Sequence, residues 1–297
     1  MTPTTRFSGC GTALATPFST DGSIDERALR ALVDWQIAEG VHFLVPCGST
    51  GEAATMSLAE HRRVVEIVVD QTRGRVPVVA GAGSNDTRKA IALSKEMGAA
   101  GASHLLHVSP MYNKPPQRGI IAHFRAITDA VDTPVIAYNV PGRTGSNIDA
   151  RTTLALAEIP SIVAVKEASG NLGQIMEIIR DRPAGFSVLS GDDSLTLAVM
   201  AAGGDGIISV VSNATPGPMA RLVDRCRSGD FAGARALHEQ LAPWMHAAFI
   251  ESNPIPVKAA LAMLGRAANV VRLPLVPLRD ELVGEVRAAL VTAGALA

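Results

Sequence analysis

The sequence predicts a (β/α)8 barrel of the TIM class with an appended C-terminal helical segment, on three observations. Eight short apolar runs rich in β-branched residues recur along the 297-residue chain. Segments whose apolar residues fall at helical spacing separate them. The runs are apolar nearly throughout, where half-exposed strands would alternate. The runs at 12–16, 42–47, 76–80, 104–109, 134–138, 162–166, 186–190 and 206–210 are therefore the predicted strands. Intervening segments such as 24–39, 57–72 and 90–98 are predicted helices. Strands buried on both faces under a layer of helices form a parallel sheet, and eight such units match a closed barrel better than an open doubly wound sheet. No Gly-rich dinucleotide fingerprint follows the first strand. Gly81-Ala82-Gly83 after the third carries half of one and is read as a tight turn. After the eighth run, helical patterns at 217–226, 231–250, 255–264 and 279–292 exceed one closing helix. They are read as a helical hairpin or small bundle joined through Asn253-Pro254-Ile255-Pro256 and 273–277, within one domain whose barrel covers about 8–225 and whose last helices cover about 226–297.

Composition narrows the function. Hydrophobic residues make up 47% of the chain and charged ones 19%, enough for a large buried core. A net charge of -1, from 27 basic and 28 acidic side chains, supplies no field to hold nucleic acid or an anionic membrane surface. Cys10, Cys47 and Cys226 are odd in number and scattered, which gives neither a disulfide framework nor a zinc spacing. Residues 1–8 are polar and no later run is long and apolar enough to span a bilayer, so a cytoplasmic protein without a membrane partner is expected.

Barrel chemistry sits at the carboxyl ends of the strands, so polar residues that terminate apolar runs are the candidates. The chain has five lysines, and Lys89, Lys95, Lys114 and Lys258 fall on predicted helices or a Pro-rich loop where a solvated charge is expected. Lys166 instead ends the sixth strand, after Ile162-Val163-Ala164-Val165. Desolvation in a barrel mouth favours the neutral amine, the nucleophile for a carbonyl. An ion pair with Glu167 or another carboxylate is the alternative. The only two tyrosines, Tyr112 and Tyr138, follow the fourth and fifth strands. A phenol beside an imine can pass protons as donor and acceptor; as core aromatics the pair would do nothing. Gly48-Ser49-Thr50-Gly51-Glu52 ends the second strand with two hydroxyls and consecutive amides, which suit a carboxylate or a simple helix cap. Arg143, on the turn after the fifth strand, suits a second carboxylate or a place on the surface. For metal-assisted chemistry, His104 and His107 lie three apart on one strand and face opposite sides, and His42, His61, His123, His238 and His246 lie elsewhere. Asp192-Asp193 is read as a turn or helix cap. Neither a metal nor a cofactor is expected.

Taken together, Gly48-Ser49-Thr50-Gly51-Glu52, Tyr138-Asn139-Val140-Pro141 and Lys166-Glu167-Ala168 resemble the signatures of the pyruvate-dependent Schiff-base lyase family that includes N-acetylneuraminate lyase and dihydrodipicolinate synthase. The similarity runs from Gly11-Thr12-Ala13 to Arg272-Leu273-Pro274 and takes in Asn253-Pro254-Ile255-Pro256-Val257-Lys258. Arg143, Ser190-Gly191-Asp192-Asp193 and Gly206-Ile207-Ile208-Ser209 look like the branch that condenses pyruvate with L-aspartate 4-semialdehyde in lysine and diaminopimelate biosynthesis. The resemblance implies a lyase with Lys166 as imine-former, Tyr138 as general acid and base, and Ser49 and Tyr112 completing a proton relay. It implies that Thr50 binds the pyruvate carboxylate, that Ile208 contacts pyruvate through its backbone beside Gly191, and that Arg143 takes the carboxylate of the aldehyde. Most such synthases have threonine where this chain has Ser49. The serine keeps the hydroxyl, loses the β-methyl that restricts χ1, and is shared with sialate lyases, which keeps that alternative open. A catalytically silent keto-acid sensor is the rival from another class. In the family, Tyr112 reaches across a tight dimer interface and two dimers form a homotetramer. Lysine-inhibited members carry an aromatic residue and a glutamate where this chain has Met111 and Lys89, although His61 and Asn85 match that site, so weak or absent lysine feedback is expected.

Overall fold

The computed structural model describes residues 7–297; the expectation drawn from segment 1–8 therefore lies, for residues 1–6, outside the described residues. Eight parallel strands alternate with helices: β1 (Gly9–Ala13), α1 (Glu26–Ala38), β2 (Phe43–Val45), α2 (Leu58–Thr72), β3 (Val79–Gly81), α3 (Thr87–Ala99), β4 (His104–Val108), α4 (Gln117–Thr128) and β5 (Val135–Asn139). There follow a single turn α5 (Pro141–Thr144), α6 (Ala150–Ala157), β6 (Ile162–Glu167), α7 (Leu172–Asp181), β7 (Ser187–Ser190), α8 (Thr196–Ala201), β8 (Gly206–Ser209) and α9 (Pro216–Arg227). Three more helices, α10 (Phe231–Ala247), α11 (Ile255–Met263) and α12 (Asp280–Thr292), make the appended segment. The strand order β2-β1-β8-β7-β6-β5-β4-β3 is that of a barrel opened at one seam, and the Leu44–Val78 bridge closes the seam between β2 and β3. The predicted TIM barrel is thus the observed one.

Local chemistry explains the element boundaries. Ser57 and Glu60 form a reciprocal capping box that starts α2, and Asp25 and Asp86 accept from backbone amides at the starts of α1 and α3. Strand β1 lies three residues earlier than the apolar run suggested. Gly9 and Gly11 weaken a strand pattern in sequence, yet the packing requires small residues there. A Cβ on Gly11 would lie 2.0 Å from the Phe43 ring. Past Ala13 the chain leaves the sheet, and the Ala15 amide bonds the Asn213 side chain while the Thr16 hydroxyl bonds the Gly51 carbonyl. The latter contact places the chain after β1 under the loop after β2. Among the described residues no helix is long and apolar enough to cross a membrane.

Candidate active site

The strand ends converge on a cavity of about 480 Å³ lined by Ser49, Thr50, Tyr138, Arg143, Lys166 and Gly191, with α10 covering part of it. Register sets the central pair. Tyr138 on β5 lies directly beside Lys166 on β6, and the Lys166 Nζ stands 4.4 Å from the centre of the Tyr138 ring. Lys166 is 4% exposed, and burial pushes its amine down to about 8, opposed by a smaller upward pull from Asp193 and aided by a downward push from Arg143. No carboxylate among the described residues pairs with it. Glu167, the alternative partner, accepts from Asn139, Gln174 and the Ser169 amide instead. Burial likewise pushes the Tyr138 phenol up to about 12, so it stays a proton donor at neutral pH. Gly191 lets Lys166 occupy this space: a Cβ there would sit 2.9 Å from the lysine Cε and 2.7 Å from the Ala168 Cβ.

The loop after β2 provides a narrower anion site than its sequence suggested. The amides of Gly51 and Glu52 are spent on the carbonyls of Gly48 and Ser49, and a one-turn helix, Ala53–Thr55, follows in place of a regular one. The N–H groups of Ser49 and Thr50 bond no other described residue. Thr50 is buried and its hydroxyl accepts from Asn253, whereas Ser49 is exposed at the rim. Glu52 adopts a left-handed conformation, φ 56°, turns away from the cavity and pairs with Lys258. Lys258 was expected to be solvated; that expectation is corrected. It is 1% exposed, donates to the Val270 carbonyl at 2.8 Å and stands over the Phe18 ring. Its partner is remote in sequence, so the helix-start position misled.

Arg143 is exposed at the mouth, with Nη2 donating to the Asn253 carbonyl at 2.9 Å and its remaining donors uncommitted among the described residues. Ile208 is fully buried within β8, and Val210 lines the cavity in its place. Tyr112 does not line the mouth that holds Lys166 in the same chain. Its φ is 70° and its side chain is 87% exposed. A second cavity, of about 780 Å³, shares Ser49, Tyr138 and Arg143 and extends past Met111, Asn85 and His61 on Tyr112's side of the barrel.

Sequence reasoning missed two groups. Asp193, read as a turn or cap, is buried and accepts from Ser209 Oγ and from the amides of Val210 and Val211, so it ties the end of β8 to the end of β7. Burial pushes its carboxyl up to about 6 against these hydrogen bonds. Asn253, read as part of a linker, contacts both Thr50 and Arg143. Its place within a Pro-rich motif shared with the family was the available signal. Among the described residues no three His, Cys, Asp or Glu side chains gather as a metal site.

Comparison with known proteins gives a consistent picture. The model of the dihydrodipicolinate synthetase family matches residues 6–293. A 4-hydroxy-tetrahydrodipicolinate synthase of Koribacter versatilis is 53% identical over 277 residues, 93% of this chain and 92% of that protein. Its counterpart from Maridesulfovibrio salexigens is 49% identical over 289 residues, 97% of this chain and 99% of its own. Among solved structures, dihydrodipicolinate synthase from Thermotoga maritima superposes with a TM-score of 0.96 at 40% identity, covering 98% of this chain and 100% of that one. The Acinetobacter baumannii enzyme complexed with pyruvate gives a TM-score of 0.96 at 40% identity, covering 97% and 99%. With this match along nearly its whole length and the strand-end lysine and tyrosine in register, the chain belongs to the dihydrodipicolinate synthetase family.

Proposed function

We propose that the protein is a 4-hydroxy-tetrahydrodipicolinate synthase that condenses pyruvate with L-aspartate 4-semialdehyde through a Schiff base on Lys166, within lysine and diaminopimelate biosynthesis. The observation that carries this reading is Lys166: buried, with no carboxylate partner among the described residues, and beside a protonated phenol. The neutral amine adds to the keto carbon, and Tyr138 protonates the departing oxygen so that water leaves and the imine forms. Loss of a proton from the pyruvate methyl gives an enamine, whose carbon attacks the aldehyde. The aldehyde oxygen takes up a proton as that bond forms. The amino group of the incoming substrate then displaces Lys166 from the imine carbon and closes the ring. On this reading Thr50, with the free amides at 49 and 50, binds the pyruvate carboxylate. Ser49 and Tyr112 complete the proton relay, and Gly191 and Val210 border the bound pyruvate. The test is intact-mass spectrometry after borohydride reduction with pyruvate, followed by turnover with the aldehyde. A reduced pyruvyl adduct with turnover supports the synthase; an adduct without turnover points to a sensor or a different aldehyde; no adduct removes the Schiff-base mechanism.

Arg143, with free guanidinium donors at the mouth, is assigned to the carboxylate of the second substrate. Arg143→Ala should raise the KM for aspartate semialdehyde by ten- to a hundredfold and leave pyruvate trapping within about twofold, since a lost charged hydrogen bond is worth about 1.5–3 kcal/mol. Equal loss in both half-reactions would show that the arginine does not discriminate between them. Ser49 is the one observation that favours a sialate-lyase-like aldehyde, and turnover with N-acetylmannosamine would reveal it.

The exposed Tyr112 supports a dimer in which this phenol completes the partner's site; a homotetramer built of two such dimers and a place in the cytoplasm go with the family reading. The barrel and the last helices act as one domain on this reading, because Asn253, Lys258 and Arg272 all bond the loop at 50–52. Met111 and the exposed Lys89 support weak lysine feedback. Lysine at 1 mM should leave steady-state turnover essentially unchanged, and half-inhibition at submillimolar lysine would contradict the expectation.

A further inference from the structure

Asn253 lies between α10 and α11, 203 positions from Thr50 in the chain, and is 7% exposed. Its Nδ2 donates to Thr50 Oγ1 at 2.9 Å, and its backbone carbonyl accepts from Arg143 Nη2 at 2.9 Å. Its Oδ1 is buried and has no hydrogen-bond partner among the described residues. One residue of the appended segment thus touches two groups that reach the Lys166 cavity from the ends of different strands. A threonine hydroxyl has one proton and two lone pairs. At Thr50 one lone pair is taken by the Asn253 amide, while the hydroxyl proton goes to no described residue. The amide therefore leaves Thr50 as a donor, the state a carboxylate oxygen needs. An accepting group at position 253 would reverse this by drawing the Thr50 proton to itself.

We infer that Asn253 is a positioning residue for keto-acid recognition, whose side-chain amide holds the Thr50 hydroxyl as a donor while its backbone carbonyl anchors Arg143. The inference rests on the pyruvate reading of the cavity. It separates the two halves of the residue: the side chain serves the first substrate and the main chain serves the second. Truncating the side chain should therefore harm pyruvate binding and spare the aldehyde.

The test compares wild type, Asn253→Ala, Asn253→Asp, Thr50→Val and the double variant Asn253→Ala/Thr50→Val, by borohydride trapping across pyruvate concentrations and by steady-state kinetics. Asn253→Asp keeps the shape but accepts instead of donating and adds a charge, so half-maximal trapping should need at least tenfold more pyruvate, a larger shift than in Asn253→Ala. The double variant should match Thr50→Val within twofold, because the amide acts through that hydroxyl. The aldehyde KM of Asn253→Ala should move less than threefold. A purely structural asparagine would instead give losses that multiply in the double variant, or equal rises in both KM values, and either result overturns the inference. Wild-type trapping by Asn253→Asp also overturns it, since Thr50 would then be donating to the amide oxygen. If Asn253→Ala melts below the assay temperature, Asn253→Asp and Asn253→Asp/Thr50→Val carry the same comparison. A wild type that traps no pyruvate removes the underlying reading and this one with it, whereas normal wild-type trapping with unaffected variants removes this one alone.

Discussion

Lys166→Met is expected to abolish pyruvate trapping, lower turnover by at least about a thousandfold, and raise the melting temperature. The first two effects follow from losing the nucleophile. The third follows from linkage. The folded amine titrates near 8 and its ordinary value is 10.5, so the unfolded chain binds the proton more tightly. The folded state is penalised in full below about pH 8, and the penalty fades as pH rises from 8 towards 10.5. The shift corresponds to about 3 kcal/mol at neutral pH, which an uncharged side chain of similar length avoids. Thermal unfolding at pH 7 and pH 10 checks the sign: the gain from Lys166→Met should shrink at the higher pH. A variant that melts below wild type at pH 7 would mean that the buried charge is compensated, with Asp193 the nearest candidate. The same shift sets the rate profile. At pH 7.5 roughly a quarter of such an amine is neutral, against about a thousandth for an unperturbed lysine, so trapping should rise with pH, reach half its plateau near 8 and level off about one unit higher.

Lys258→Met should destabilise the protein by about 3–5 kcal/mol, because it strands Glu52 as a buried charge. The Arg272 amide still donates to Glu52 Oε2 at 2.9 Å, but a single neutral donor does not replace a cation. Lys258→Met combined with Glu52→Gln should recover most of the loss, since removing both charges also removes the cost of desolvating them. Urea unfolding of the single and double variants decides the matter, and a double variant no more stable than the single would show that the pair does more than neutralise itself. Because Glu52 ends the loop that carries Ser49 and Thr50, the single variant should also need more pyruvate for trapping.

The contrast between these two lysines shows what the sequence made legible. Lys166 could be found because its surroundings are local: four apolar residues precede it on one strand, and strand ends are where barrels keep their chemistry. Tyr138 was legible for the same reason and because tyrosine is scarce. Lys258 looked ordinary because its partner, Glu52, lies at the other end of the chain and neither residue has a periodic context that points to the other. Asn253 and Thr50 share that difficulty. The eight strands could be read from apolar runs, but β1 was shifted because its glycines serve a packing need that propensity counts against a strand. Tyr112 was rightly placed after β4, yet no local pattern shows whether a loop turns towards its own barrel or away from it.

The seam between β2 and β3 is held by fewer pairings than its neighbours, with β2 and β3 only three residues each and one bridge between them. Such a joint should be where the barrel breathes first, and amide exchange at Leu44 and Gly81 should outpace exchange in β5 and β6. The loop with Thr50 hangs from that joint. The C-terminal helices, which look like an addition in the sequence, therefore act as a hoop around the weakest stave of the barrel.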